Sequence, residues 1–301
     1  MKKTVSNILA LVCVLGNIGL ALAGGALRQA PLRVAIVGFN GVRVGEQAGD
    51  DPLQKALRAA LGLRSQITLI EPLQVEPAVA GVGYDGSINM SRDEARRLGA
   101  AIGCDFFVIG KRDLFTRSEA KAESHEEALV GVMIVDARTG ALAAFDFINE
   151  KAATRAAAIE AVVKTLATRA AGYVERMITH HARSMAQPSG EPVEHIEELP
   201  DADTATTAGF KPPEFLNRVK PEYTSEAERA DITATVEATA VFRADGTVGE
   251  IRITRWAGFG LDEAAAATIR QLKFKPATRD GRAVSVRATV RYNFRRLRPT
   301  S

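Results

Sequence analysis

Val284-Ser285-Val286-Arg287-Ala288-Thr289-Val290-Arg291-Tyr292-Asn293-Phe294 alternates apolar and polar side chains without a break. Side chains on a strand point to opposite faces in turn, so this pattern predicts a half-buried strand. Val284, Val286, Ala288, Val290, Tyr292 and Phe294 face inward. Ser285, Arg287, Thr289, Arg291, Asn293 and Arg295 face outward. Moving toward the N-terminus, Asp280-Gly281 is a turn, and Phe274 with Pro276 closes a helix. That helix begins at Leu261-Asp262-Glu263 and carries Leu261, Ala265, Ile269 and Leu272 along one side. Ile232 to Phe242 alternates in the same way, and Ala244-Asp245-Gly246 turns it back into a strand with Ile251 and Ile253 on the same core. Strand, strand, helix, strand demands a short sheet covered on one face by one helix. This is a small ββαβ domain of α+β type, placed at 214–298.

The stretch before it is different in kind. Gln187 to Pro213 contains Pro188, Pro192, Pro200, Pro212 and Pro213 with an acidic stretch and the polar run Asp201 to Thr207. Little of it could bury a face, so 184–213 is expected to be a mobile or extended linker, reaching roughly 80 Å at most. Ahead of it, elements alternate. Arg33 to Phe39 is a buried strand, and Asp51-Pro52 opens a helix with Asp51 as N-cap. Gln66 to Ile70 is a strand. Ser91 and Glu94 form a capping box for the next helix. Phe106 to Gly110, Ala128 to Val135 and Leu142 to Ile148 are strands, the last two joined at Asp136-Ala137-Arg138-Thr139-Gly140. A long helix from about Ala152 to Ala182 closes the unit. This order implies a mixed-sheet α/β domain over 31–183.

Lys2 and Lys3 precede an apolar run from Ile8 to Ala23 that ends in Ala21-Leu22-Ala23, the small-x-small form of a signal peptidase site. Residues 1–23 are therefore expected to be a signal peptide, with an uncleaved anchor as the alternative. Cys13 lies too early to be an acylated lipoprotein cysteine. Cys104 beside Phe106-Phe107-Val108-Ile109 is expected to pack as a small hydrophobe. From Lys211 onward there are 17 Lys and Arg against 11 Asp and Glu, whereas Gly24 to Phe210 has 20 against 25. The opposite signs support two separate units and suggest acidic partners for the basic one. Export argues against a nucleic-acid partner.

Two resemblances add to this reading. Pro221-Glu222-Tyr223, Glu226-Ala227, Asp245-Gly246, Gly260-Leu261-Asp262-Glu263-Ala264-Ala265, Phe274-Lys275-Pro276-Ala277, Asp280-Gly281 and the alternating end strand resemble the TonB C-terminal domain family in order and spacing. Ala234 departs from it where the family usually has glycine. Over 31–183, Val34-Ala35-Ile36-Val37-Gly38-Phe39, Ala95-Arg96-Arg97-Leu98-Gly99, Cys104 to Gly110 and Val132 to Gly140 resemble the N-terminal α/β domains of TolB-type, curli-secretion and penicillin-binding-protein-activator proteins. The first resemblance implies β-strand addition, in which a short extended segment of an outer-membrane transporter or other envelope protein pairs with the last strand. Val284, Arg287, Val290, Arg291, Tyr292 and Arg295 are then the partner-binding residues, with Pro221 and Tyr223. The arginines equally serve to protect an exposed edge against aggregation. A complete energy transducer of that family would also keep an N-terminal membrane helix bearing a histidine, and no histidine precedes His125 here. The expectation is therefore a periplasmic TonB-like protein, inner-membrane anchored only if the N-terminal segment is uncleaved. The second resemblance supports the alternative of an assembly or scaffold factor that recognises partners through its N-terminal domain.

Enzyme chemistry finds no foothold. Gly38, Gly41 and Gly45 do not have dinucleotide-loop spacing. His180 and His181 are adjacent on a helix and diverge, so they suit a solvated helix end better than a metal. No serine sits in a nucleophile elbow. No catalytic residue, cofactor or metal is expected.

Overall fold

The structure, a computed structural model, describes residues 30–39, 51–118, 124–186, 195–199 and 209–296. The expected signal peptide, Gly41, Gly45 and the run Asp201 to Thr207 lie outside the described residues.

The N-terminal lobe runs β1 (Leu32–Phe39), α1 (Pro52–Gly62), β2 (Ile67–Leu69), α2 (Pro72–Gly81), β3 (Met90–Ser91), α3 (Arg92–Ile102), β4 (Phe106–Arg117), β5 (His125–Asp136), β6 (Leu142–Ala152) and α4 (Arg155–Ala186). Its sheet has the order β2-β1-β4-β5-β6, with β1 parallel to β2 and β4 and the rest antiparallel. This is the mixed sheet that the alternation of elements implies. The local signals act as read. The Asp51 carboxylate accepts the Leu53 N–H at 2.9 Å. Ser91 and Glu94 cap each other's backbone at the start of α3, and Gly103 ends that helix at φ 73°.

Strand alternation divides the lobe's apolar residues between two faces. Val34, Ile36, Phe106, Val108, Val130, Val132 and Ile134 meet Leu53, Leu57 and Leu61 of α1 and Val162, Leu166, Tyr173 and Met177 of α4. Ala35, Val37, Phe107, Ile109, Leu129, Met133 and Val135 point the other way, toward Val75 and Val79 of α2 and Leu98 and Ile102 of α3. Burying both faces requires cover on both sides, and α2 and α3 alone do not supply it.

The missing cover comes from the C-terminal lobe. It runs β7 (Ile196–Glu198), β8 (Phe210–Lys211), β9 (Glu214–Phe215), α5 (Ser225–Arg229), β10 (Ala234–Phe242), β11 (Val248–Trp256), α6 (Leu261–Arg270), β12 (Phe274–Lys275), β13 (Ala277–Arg279) and β14 (Arg282–Phe294). Ile232, Val236, Trp256, Phe259, Leu261 and Ala265 share one continuous core with the N-terminal sheet. The Phe259 ring lies against Phe145 and Phe147, with centroids 4.8 and 5.7 Å away. Gly131 makes room for it: a Cβ there would stand 2.7 Å from Phe259 Cζ. The Trp256 indole donates to the Gly140 carbonyl at 3.1 Å. Asn89 accepts from Thr235 N and donates to the carbonyls of Thr235 and Trp256, at 2.7–3.0 Å. β3 adds to the β11 edge through Met90 and Ser91. Pro31–Ser301 is accordingly one compact unit.

The C-terminal sheet has the order β3-β11-β10-β14-β13-β8, with β7 alongside β14, and α6 lies on one face. α6 starts without a side-chain N-cap. Instead, buried Asp262 in its first turn accepts the N–H groups of Ala257 and Gly258, each at 2.9 Å. Burial pushes the Asp262 carboxyl up to about 7, against those two donors.

Candidate partner-docking edge

β14 is the longest strand of the C-terminal lobe, and its surroundings differ along its length. On one side Val286 to Phe294 pairs antiparallel with Phe242 to Ala234 of β10. On the other side Arg282 to Val284 pairs with β13 and Ser285 to Arg287 pairs with β7. No pairing extends that side beyond Arg287 among the described residues.

Hydrogen-bond direction fixes what the open part offers. Leu199 N donates to the Arg287 carbonyl at 3.1 Å, so Arg287 turns its backbone away from β10. The N–H and C=O of one strand residue point to the same side and the direction alternates, so Thr289, Arg291 and Asn293 turn theirs outward too. Val290 and Tyr292 spend their backbone groups on β10. Their side chains and that of Val284 pack, partly buried, against the core below α6. Burial pushes the Tyr292 hydroxyl above its ordinary range.

The outward side chains are tied across the sheet. Arg291 pairs with Glu237 at 2.8 Å, and Thr235 donates to the Asn293 side chain at 2.8 Å. Arg287 pairs with Glu198 at 2.8 Å. Arg295 is exposed just past the strand, and Thr289 is exposed at its middle. Among the described residues the edge is thus a run of unpaired backbone bordered by guanidinium groups.

Pro221 and Tyr223 sit elsewhere. The Tyr223 hydroxyl donates to the carbonyls of Ile232 at 2.7 Å and Ala227 at 3.2 Å, and its ring packs on the shared core. It pins the α5 turn against the start of β10, which is a positioning role. Pro221, half-buried, precedes it on the same segment.

Two features of the edge go beyond the side-chain pattern. The outward backbone groups of Thr289, Arg291 and Asn293 were hidden because alternation assigns side chains to faces but leaves open which neighbour the backbone serves. The second is β7, in the stretch expected to be a mobile or extended linker. Ile196-Glu197-Glu198 is extended and paired, and the only hint in the sequence is opposite charge between this stretch and the last strand.

Residues 219–295 match the family model of the Gram-negative bacterial TonB protein C-terminal. No curated protein matches the chain. Among solved structures, the C-terminal domain of Pseudomonas aeruginosa TonB aligns at 20% identity over 35% of this chain and 99% of its own, with a TM-score of 0.27. The hypothetical protein CT253 from Chlamydia trachomatis aligns at 15% identity over 48% of this chain and 98% of its own, with a TM-score of 0.34. Lipoprotein GNA1162 from Neisseria meningitidis aligns at 14% identity over 47% and 99%, with a TM-score of 0.32. On the family match and the strand–strand–helix–strand order that bears it, residues 219–295 form a domain of the TonB C-terminal family.

Proposed function

We propose that this chain is a non-enzymatic, exported periplasmic protein that binds an outer-membrane transporter or another envelope protein by strand addition to β14, in TonB-dependent transport. The observation that carries the reading is the open run at Thr289, Arg291 and Asn293, whose backbone groups have no strand beside them among the described residues. An incoming strand gains main-chain hydrogen bonds there, and Arg287, Arg291 and Arg295 favour an acidic one. Among the described residues no helix is long and apolar enough to cross a membrane.

The alternative, an assembly factor recognising partners through the N-terminal lobe, has less to stand on. That lobe's sheet ends at β6, but the outward carbonyls of Phe145 and Phe147 already accept from Arg176 at 3.2 Å and Arg169 at 3.3 Å on α4. Charged cover of this kind blunts an edge. Its remaining sheet faces are buried under helices and the other lobe.

Proline at position 291 discriminates. Arg291→Pro removes an outward N–H and leaves the β10 ladder intact, since edge strands tolerate proline. Capture of envelope proteins on the immobilised full chain should fall by about tenfold or more for Arg291→Pro, and only a few-fold for Arg287→Ala, because a lost main-chain bond leaves the partner's carbonyl unpaired. Capture unchanged by Arg291→Pro contradicts strand addition at this edge.

A further inference from the structure

The start of the docking edge is already filled. Ile196, Glu197 and Glu198 lie parallel to Ser285, Val286 and Arg287 in register. Arg279 grips Glu197 with Nε 2.9 and 3.1 Å from its two carboxylate oxygens and Nη2 2.6 Å from one of them. The Arg279 guanidinium also lies 5.3 Å from the centroid of the Phe210 ring, which helps hold it in place. Glu198 reaches Arg287 at 2.8 Å. Hydrogen bonding to Arg279 holds the Glu197 carboxyl below the usual carboxylate range. Two successive carboxylates meeting two arginines, with backbone pairing between them, is a recognition pattern, and here one chain supplies both halves.

We infer that Ile196–Glu198 is an in-chain occupant of the docking edge, standing in for an acidic partner strand that runs parallel to β14 and places carboxylates at Arg279 and Arg287. The inference rests on the reading of β14 as the docking edge. A partner strand spanning Ser285 to Asn293 needs the backbone positions that this segment holds, so it binds by displacing it. Being tethered, the segment competes at an effective concentration on the order of millimolar. That penalises weak or uncharged strands and selects partners able to engage both arginines and the open run beyond them.

The test uses the full chain and a labelled synthetic peptide, Glu-His-Ile-Glu-Glu-Leu-Pro, copied from 194–200. In Glu197→Lys/Glu198→Lys, lysines face Arg279 and Arg287 and the in-chain strand is repelled from its place. Fluorescence anisotropy should show the peptide binding this variant about tenfold more tightly than the unaltered chain, consistent with removal of a tethered competitor. A peptide with lysine at both glutamate positions should bind neither. Thermal melting checks that the variant is folded, since the Glu198 side chain is exposed but that of Glu197 is largely covered.

Equal peptide affinity for the two proteins, or binding to neither, overturns the proposal. A dimer of the unaltered chain that dissociates in the variant also overturns it, because the segment would then serve a second copy. A photo-crosslinker at Thr289, beyond the stretch that β7 covers, separates this from the underlying reading. Partners still captured there while the peptide result fails leave the docking edge standing without its in-chain occupant.

Discussion

Phe259→Ala is expected to lower the stability of the whole unit by about 3–5 kcal/mol, the usual cost of emptying a buried phenylalanine site. Phe259 is 1% exposed and stands where the two lobes meet. Its ring fills the space above Gly131 and packs between Phe145 and Phe147, while its backbone sits in the left-handed region at φ 53°. Alanine inherits that backbone conformation without the packing that stabilises it. Gly258 before it, at φ 70°, lies so close to Phe145 that a Cβ would come within 2.8 Å, so the loop cannot settle into the gap. Urea unfolding should show a lower midpoint, with a broader or two-step transition as the lobes lose their shared core. A loss below about 1 kcal/mol with a single sharp transition would mean that the lobes do not depend on this contact, since core truncations cost more than that.

The second large effect comes from an ion cluster that also joins the lobes. The Glu127 carboxylate on β5 is 1% exposed and accepts from Arg117 Nε at 2.9 Å and from Arg229 Nη1, in α5 of the other lobe, at 2.7 Å. Burial alone would raise its proton affinity. Hydrogen bonds from Arg229, Arg117 and Asn149 outweigh that and hold the carboxyl below its ordinary value of 4.5. The two arginines are roughly half exposed, so removing the carboxylate leaves cations that water can reach. Removing the arginines leaves a buried anion without the two ion pairs that hold it. Arg117→Ala/Arg229→Ala should therefore cost about 3–5 kcal/mol at neutral pH, and Glu127→Gln clearly less.

The pH dependence has a definite sign. In the unaltered protein the depressed carboxyl stabilises the fold above about 4.5 and this contribution fades as pH falls through the folded value. In the double variant only the Asn149 hydrogen bond is left to oppose burial, the largest influence on this carboxyl, so its proton affinity rises, and the deficit should be largest at pH 7 and shrink on acidification toward about pH 4. Denaturation midpoints measured across that range give the test, and a deficit independent of pH would contradict the assignment.

How much of this was legible in the sequence depended on period. The alternation from Val284 to Phe294 located β14 and its inner face. The capping box at Ser91 and Glu94 and the proline after Asp51 each placed an element through local chemistry. α2 was missed because Pro77 removes a helical N–H and reads as a breaker, yet Pro72 starts the helix and Val75 and Val79 anchor it to the core. β3, β7 and β8 are too short to show any period and form against a longer strand, while β9 and β12, equally short, pair with each other. The lobe interface was hidden for a related reason. Phe259 and Gly131 are far apart in the chain, and only the folded sheet makes one the socket of the other. An isolated glycine inside a strand pattern was the available signal, since it marks a close approach. At the edge itself the outer side chains were legible, but the outward backbone groups depended on β10 being the inner neighbour.

The most direct measurement is site-specific photo-crosslinking in cells producing the full chain, with the reactive side chain at Thr289 on β14 or, for comparison, at Arg252 on β11. Both positions are exposed, and β11 also has an outer side, which β3 meets only at Arg255 and Trp256. Docking on β14 predicts discrete adducts with envelope proteins from position 289 and none from position 252. Adducts from position 252 with none from position 289 would contradict it.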